Sequence, residues 1–319
     1  MRAYVAAPRG FCAGVVRAIE TVEFALQRFP PPIYVRKQIV HNRSVVKEFE
    51  SRGVIFIDDL VEVPPGSLVI FSAHGVSPEV RAEAQARGLR TVDATCPLVT
   101  KVHAEARRFA SRGFTIILIG HQGHEEVVGT VGEVPGHIQV IENADQIEAL
   151  VVPDPDRVVC LTQTTLSVDE TDSLRRLLGS KFPRMVLPAK EDICYATQNR
   201  QNAVKKLVGI GIDVLLVMGS PNSSNSRRLC DVAKSLGITA YLVDCPEDIQ
   251  AHWLEGAERV GITAGASVPE LLVQRAVGLL EQFGAQVEEV PGPAEEILFS
   301  LPEEVSSSLP NLSGSESVA

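Results

Sequence analysis

No apolar run in the chain approaches the roughly 20 residues that cross a bilayer, and mean hydropathy is only +0.11. The opening Met1-Arg2-Ala3-Tyr4-Val5 lacks the charged-then-apolar layout of a signal peptide. A soluble, cytoplasmic protein without a membrane partner is expected. Lys and Arg are absent after Arg275, where Glu281, Glu288, Glu289, Glu295, Glu296, Glu303, Glu304 and Glu316 all fall. The formal charge of −10 therefore belongs to that end, since residues 1–275 carry 30 cations against 32 acids, a net of −2. Nothing resembles the basic footprint of a nucleic-acid or anionic-membrane binder. P-loop and G-x-G-x-x-G motifs are also missing, which disfavours an ordinary NTPase or a Rossmann dehydrogenase. What is present is an ordinary globular balance of 45% hydrophobic and 22% charged residues, which excludes wholesale disorder. A length of 319 residues allows two or three domains.

The six cysteines, Cys12, Cys96, Cys160, Cys194, Cys230 and Cys245, include no C-x-x-C pair. A disulfide framework is not expected in a long chain without a secretory signal. Three of them recur in a pattern. Gly10-Phe11-Cys12, Ala94-Thr95-Cys96 and Asp192-Ile193-Cys194 each precede a second polar site. That site is His41 in the first copy, His121-Gln122-Gly123-His124 in the second and Ser223-Ser224-Asn225 in the third. The separations are 29 residues from Cys12 to His41, 28 from Cys96 to His124 and 29 from Cys194 to Ser223. A third site closes each copy: Ser72-Ala73-His74, Thr162-Gln163-Thr164-Thr165 and Thr263-Ala264-Gly265-Ala266-Ser267.

Each polar site follows a short β-rich run and precedes a helical pattern, as Leu68–Phe71 precedes Ser77-Pro78-Glu79, an N-cap with proline at the first helical position. Ser267-Val268-Pro269-Glu270 repeats that signature. Alternating strands and helices imply mainly parallel sheets of right-handed βαβ units, with ligands outside the carboxyl ends of the strands. Short strands are expected before each cysteine at Ala3–Ala6, Arg90–Ala94 and Met185–Pro188, and a fourth at Gln286–Val290. The reading is three small related α/β units at 12–95, 96–193 and 194–290, with an extra N-terminal strand at 1–11. Residues 291–319, rich in Pro, Ser and Glu, are expected to be a mobile tail whose removal after about Gly292 leaves turnover intact.

Three cysteines at equivalent positions could converge on one pseudo-threefold axis and offer three thiolates with one coordination position left open. Zinc would more often show a close C-x-x-C pair, whereas an iron–sulfur cluster tolerates remote ligands. The bland alternative is that all six cysteines fill cores. His41, His74 and His124 lie at matched loop ends, which favours a ligand role over a structural one. His103, His137 and His252 carry no such pattern. In the third copy Ser223, Ser224, Asn225 and Ser267 stand where the others have histidine. Such hydroxyls, amides and imidazoles at helix N-termini suit an anion, though they also cap helices for structural reasons. His121, His124 and Glu126 suggest a competing zinc-dependent phosphohydrolase, although the run does not match H-E-x-x-H. A non-catalytic anion-binding protein is the third class.

Seven ordered motifs resemble the LytB/IspH family of 4-hydroxy-3-methylbut-2-enyl diphosphate reductases: Pro8–Val15, Asp93–Pro97, Gly120–Glu126, Thr162–Ser167, Ile193–Thr197, Asn222–Ser226 and Thr263–Ser267. The resemblance runs over about residues 1–285. It implies three α/β domains around one 4Fe-4S cluster with three cysteine ligands, matching Cys12, Cys96 and Cys194, and one open iron. It further implies that His41, His74, His124, Ser223, Ser224, Asn225 and Ser267 hold an allylic diphosphate. Thr164 would orient the substrate hydroxyl and Glu126 would supply protons. The electron donor would be a protein such as ferredoxin or flavodoxin. Glu125 departs from the common His-Pro-Glu form of the family. No S1-like RNA-binding extension is expected, and no nucleic-acid partner is implied.

Overall fold

The computed structural model describes residues 1–306 as three small parallel sheets with helices between them. The chain opens with β1 (Arg2–Ala6), α1 (Ala13–Arg28), β2 (Ile33–Arg36), α2 (Arg43–Ser51), β3 (Val54–Ile57), β4 (Leu68–Phe71), α3 (Pro78–Ala86) and β5 (Arg90–Asp93). It continues through α4 (Pro97–Ala110), β6 (Thr115–Ile119), α5 (Glu125–Glu133), β7 (Ile138–Ile141), α6 (Asp145–Ala149), β8 (Val158–Thr162) and α7 (Val168–Lys181). The last third holds α8 (Tyr195–Ile210), β9 (Val214–Met218), α9 (Ser224–Ser235), β10 (Thr239–Val243), β11 (Arg259–Ala264), α10 (Glu270–Gln282), β12 (Gln286–Val290) and α11 (Glu303–Ser306). β9, in the interior of its sheet, and β8 are buried throughout. That explains their unbroken apolar sequence, since parallel strands are covered on both faces.

The same order recurs in each sheet. β3-β2-β4, β7-β6-β8 and β10-β9-β11 each place the second strand, then the first, then the third side by side. The segment before each cysteine then joins the edge beyond the third strand. β5 pairs with β4, Val186 bridges to Val159 of β8, and β1 pairs with β11. The N-terminal strand thus occupies in the third sheet the place that β5 holds in the first, with β12 added outside it. Each cysteine consequently sits where the chain leaves one sheet to start the next helix. Parallel strands of one sheet deliver their carboxyl ends to the same side, and the three cysteines at these exits line one cavity.

Three local expectations are corrected. Met185–Pro188 forms only an isolated bridge at Val186 rather than a strand. Ser77 does cap α3, accepting from the Val80 amide at 3.4 Å, but Ser267 does not cap α10. Its hydroxyl donates instead to the His41 carbonyl at 2.9 Å. The largest difference lies in residues 291–306, which are packed and not a loose tail. Val305 is only 1% exposed and joins the core formed by α1 and β2–β5, with Leu301 against it. Buried Arg200 is paired with Glu295 at 3.0 Å. The remainder of the expected tail, 307–319, lies outside the described residues.

Candidate active site

Cys12, Cys96 and Cys194 are the N-cap residues of α1, α4 and α8. An N-terminus presents unpaired amides and the positive end of the helix dipole, which favour a thiolate. The Cys194 sulfur accepts from the Thr197 amide at 3.4 Å and lies 3.2 Å from the Thr197 hydroxyl. All three thiols line one central cavity. Gly14 marks the crowding there: a Cβ would stand 2.6 Å from the Cys96 sulfur and 3.9 Å from that of Cys12. Burial, with neighbouring cysteine charge adding to it, pushes the Cys96 thiol up to about 12 and the Cys194 thiol up to about 11. A bound cationic centre would reverse that bias at Cys96 and Cys194. The donor set therefore fits a three-thiolate metal group. Cys160 lies inside β8, Cys230 on α9 and Cys245 after β10, and none lines the cavity.

The same cavity is also lined by imidazoles. His41 and His74 stack with ring centroids 4.0 Å apart, and His124 meets them edge-on at 5.7 and 6.0 Å. His41 immediately precedes Asn42, whose side chain caps α2 by accepting the Ser44 and Val45 amides. His124 is itself the N-cap of α5, and its Nδ1 accepts the Glu126 amide at 3.2 Å. That bond leaves the ring proton on Nε2 as a donor to the cavity. Burial lowers His41 to about 2 and His124 to about 3, with the other histidines and Arg227 adding to it. Both rings are neutral near pH 7. The Nδ1 of His74 lies 3.3 Å from Glu125, so the glutamate that departs from the family pattern contacts a site histidine.

From the third unit, Ser223 caps α9 while Ser224 and Asn225 form its first turn. Asn225 accepts the Ala266 amide at 2.9 Å and donates to Thr197 at 3.2 Å. Ser223, Ser224, Asn225 and Ser267 reach the same cavity as His41, His74 and His124. Glu126 and Thr164 complete it. The Thr164 amide donates to one carboxyl oxygen of Glu126 at 2.7 Å, and its hydroxyl donates to the other at 3.1 Å. Glu126 is buried, and desolvation pushes its carboxyl up to about 7 against those two bonds. Every residue singled out for the diphosphate and proton roles therefore lines one cavity. Sequence reasoning did not assign Thr197 or Gly14 there, although both lie within or beside the cysteine motifs. Arg227 also escaped notice, since its effect is through charge and not through a repeated position.

A family model described as LytB protein matches residues 3–281. The chain belongs to the LytB family. A relative from Leifsonia xyli, named 4-hydroxy-3-methylbut-2-enyl diphosphate reductase, is 55% identical over 95% of this chain and 90% of its own. One from Rhodococcus opacus with the same name is 54% identical over 95% and 91%. Among solved structures, the E-1-hydroxy-2-methyl-but-2-enyl-4-diphosphate reductase of Plasmodium falciparum superposes with a TM-score of 0.91 at 38% identity, covering 96% of this chain and 97% of that one.

In this LytB chain the competing zinc site of His121, His124 and Glu126 is not assembled. Arg228 donates to the Nε2 of His121 at 3.0 Å, which occupies the lone pair a metal would need. His121 instead lines a larger outer cleft of about 500 Å³ with Glu142, Asp169, Glu170, Arg228 and Asp231. That cleft contains none of the cysteines, whereas the smaller central cavity contains all the convergent chemistry. The central cavity is the site on chemical grounds. No helix among the described residues is long and apolar enough to cross a membrane.

Proposed function

We propose that this LytB protein reduces 4-hydroxy-3-methylbut-2-enyl diphosphate, removing its hydroxyl as water with two electrons and two protons. The products are isopentenyl and dimethylallyl diphosphate, the last step of the non-mevalonate isoprenoid pathway. One observation carries the reading: three N-cap cysteines, three imidazoles and the Glu126–Thr164 pair meet in one cavity. Cys12, Cys96 and Cys194 would hold a 4Fe-4S cluster, which would supply the electrons and a Lewis acid for the leaving oxygen.

The chain's own residues do the rest. His41, His74, His124, Ser223, Ser224, Asn225 and Ser267 bind the diphosphate with imidazole, hydroxyl and amide donors. Val15, Val40, Ala73, Leu98 and Val99 on the same cavity wall cover the hydrocarbon and keep water out. Thr164 orients the substrate hydroxyl. Glu126, held at about 7 by burial, still carries its proton in a large fraction of molecules at neutral pH and gives it up to the departing oxygen. The chain acts in the cytoplasm and takes its electrons from a protein donor such as ferredoxin or flavodoxin.

Iron and sulfide counting on anaerobically prepared protein, followed by product analysis with a chemical reductant, tests the proposal. Brown protein with about four irons per chain, yielding both five-carbon diphosphates, is expected. Colourless protein holding zinc and releasing phosphate would overturn it.

A further inference from the structure

Residues 291–306 are linked through Arg200 and Arg17 to residues beside the cysteines. At their start, Lys206 donates to the Pro291 carbonyl at 2.6 Å. Gly292 then passes so close to Ala7 that a Cβ would collide with the Ala7 carbonyl. Next, Glu295 receives the Nη1 and Nη2 of Arg200 at 3.0 and 3.2 Å and the Asn199 amide at 3.0 Å. Arg200 is fully buried. Its other bonds go to the Gly10 carbonyl at 2.6 Å and the Ala196 carbonyl at 2.9 Å. Gly10 lies two residues before Cys12, and Ala196 two after Cys194. Farther along, Arg17 donates to the Ser300 carbonyl at 2.7 Å and to the Thr95 carbonyl at 3.0 Å, immediately before Cys96. Arg28 holds the end of the segment through the Val305 carbonyl at 2.6 Å.

We propose that residues 291–306 are a clasp on the three cysteine turns, and that Arg200 and Arg17 are the positioning residues through which it acts. A buried guanidinium needs a counter-charge, and Glu295 provides it for Arg200. The arginine so held fixes the backbone on both sides of the Cys12–Cys194 pair, and Arg17 does the same beside Cys96. Both cations also lie within electrostatic reach of a ligand thiol, Arg200 of Cys194 and Arg17 of Cys96. The clasp therefore sets ligand spacing and local charge together. Neighbours of a metal's ligands tune affinity and potential in this way. The inference rests on the reading that these cysteines hold the cluster.

Glu295→Gln in the full-length holoenzyme keeps the shape of the contact and removes its charge. Iron loss to a ferrous chelator is expected to quicken about tenfold. The midpoint potential of the cluster is expected to rise, because the less compensated Arg200 favours the more negative, reduced state. Glu296→Gln removes the same charge from an exposed neighbour and should behave as wild type. Arg17→Lys keeps the charge and loses the fork, so it should speed iron loss and leave the potential alone, a comparison that stands even if the glutamine variant folds poorly. Release rates within about twofold of wild type in both variants, with the potential unmoved, would reduce the segment to a packing element. A Cys194→Ser protein made in parallel separates the two ideas. Full iron in that protein overturns the underlying cluster reading, whereas its loss beside an unchanged Glu295→Gln overturns the clasp alone.

Discussion

Glu126 is pulled in opposite directions by its surroundings. Burial raises its proton affinity, and two hydrogen bonds from Thr164 lower it, with burial the larger effect. Between the ordinary value of 4.5 and the native value of about 7, the folded chain holds a proton that the unfolded chain has lost. The stability this confers is complete below 4.5 and is lost as pH rises through about 7, at up to roughly 1.4 kcal/mol per pH unit. Glu126→Gln cannot titrate, so urea unfolding of the iron-free variant across this range should show a flatter dependence than wild type. In the loaded enzyme the same variant should keep its iron and bind substrate nearly normally while turnover falls about a hundredfold or more. Steady-state kinetics beside an iron assay checks that, and turnover within about twofold of wild type would mean that another group delivers the proton. Gly14 permits a parallel argument from space alone. Alanine there would place a methyl 2.6 Å from the Cys96 sulfur, so Gly14→Ala should fold, by circular dichroism, and fail to retain iron.

Helix beginnings organise the site. Cys12, Cys96, Cys194, His124 and Ser223 are N-caps, and His41 immediately precedes Asn42, another one. Serine at Cys12, Cys96 or Cys194 should therefore cap its helix adequately while removing a metal ligand. Iron content should collapse with little loss of helicity. Serine at Cys160, Cys230 or Cys245, none of which lines the cavity, should keep the iron and cost stability at most. Equal iron in both groups would defeat the assignment. This placement also explains why so much of the site was legible in the sequence. Strand, polar residue and cap follow one another within a few positions, and the 28- and 29-residue spacings repeat that local order three times. Less was legible where the partner was remote. Ser267 looked like a cap beside its own helix, yet its hydroxyl bonds to His41, 226 residues away. Met185–Pro188 had the composition of a strand but found room for only one bridge, at Val186.

At the scale of the whole molecule, the closing segment shows the limit of composition as a guide. Its acids and prolines have the pattern of a solvated tail, and the two features that contradict it are invisible locally. Arg200 looks like an ordinary helical arginine until Glu295, 95 residues on, is found beside it. Val305 stands between Glu304 and Ser306, and its burial depends on a core assembled from residues 15–94. Ending the chain after Gly292 removes both. The guanidinium would remain buried without its carboxylate, which costs about 3–5 kcal/mol, and the lost burial of Val305 would add about 1.5 kcal/mol or more. Thermal unfolding of the truncated chain should accordingly begin roughly 10 °C or more below that of the full chain. A segment without a structural role would leave the transition where it is. Because Arg200 and Arg17 tie this segment to the cysteine turns, the truncated protein should also accept less iron at temperatures where it is still folded. Measuring iron content alongside unfolding separates a loosened site from a molecule that has simply melted.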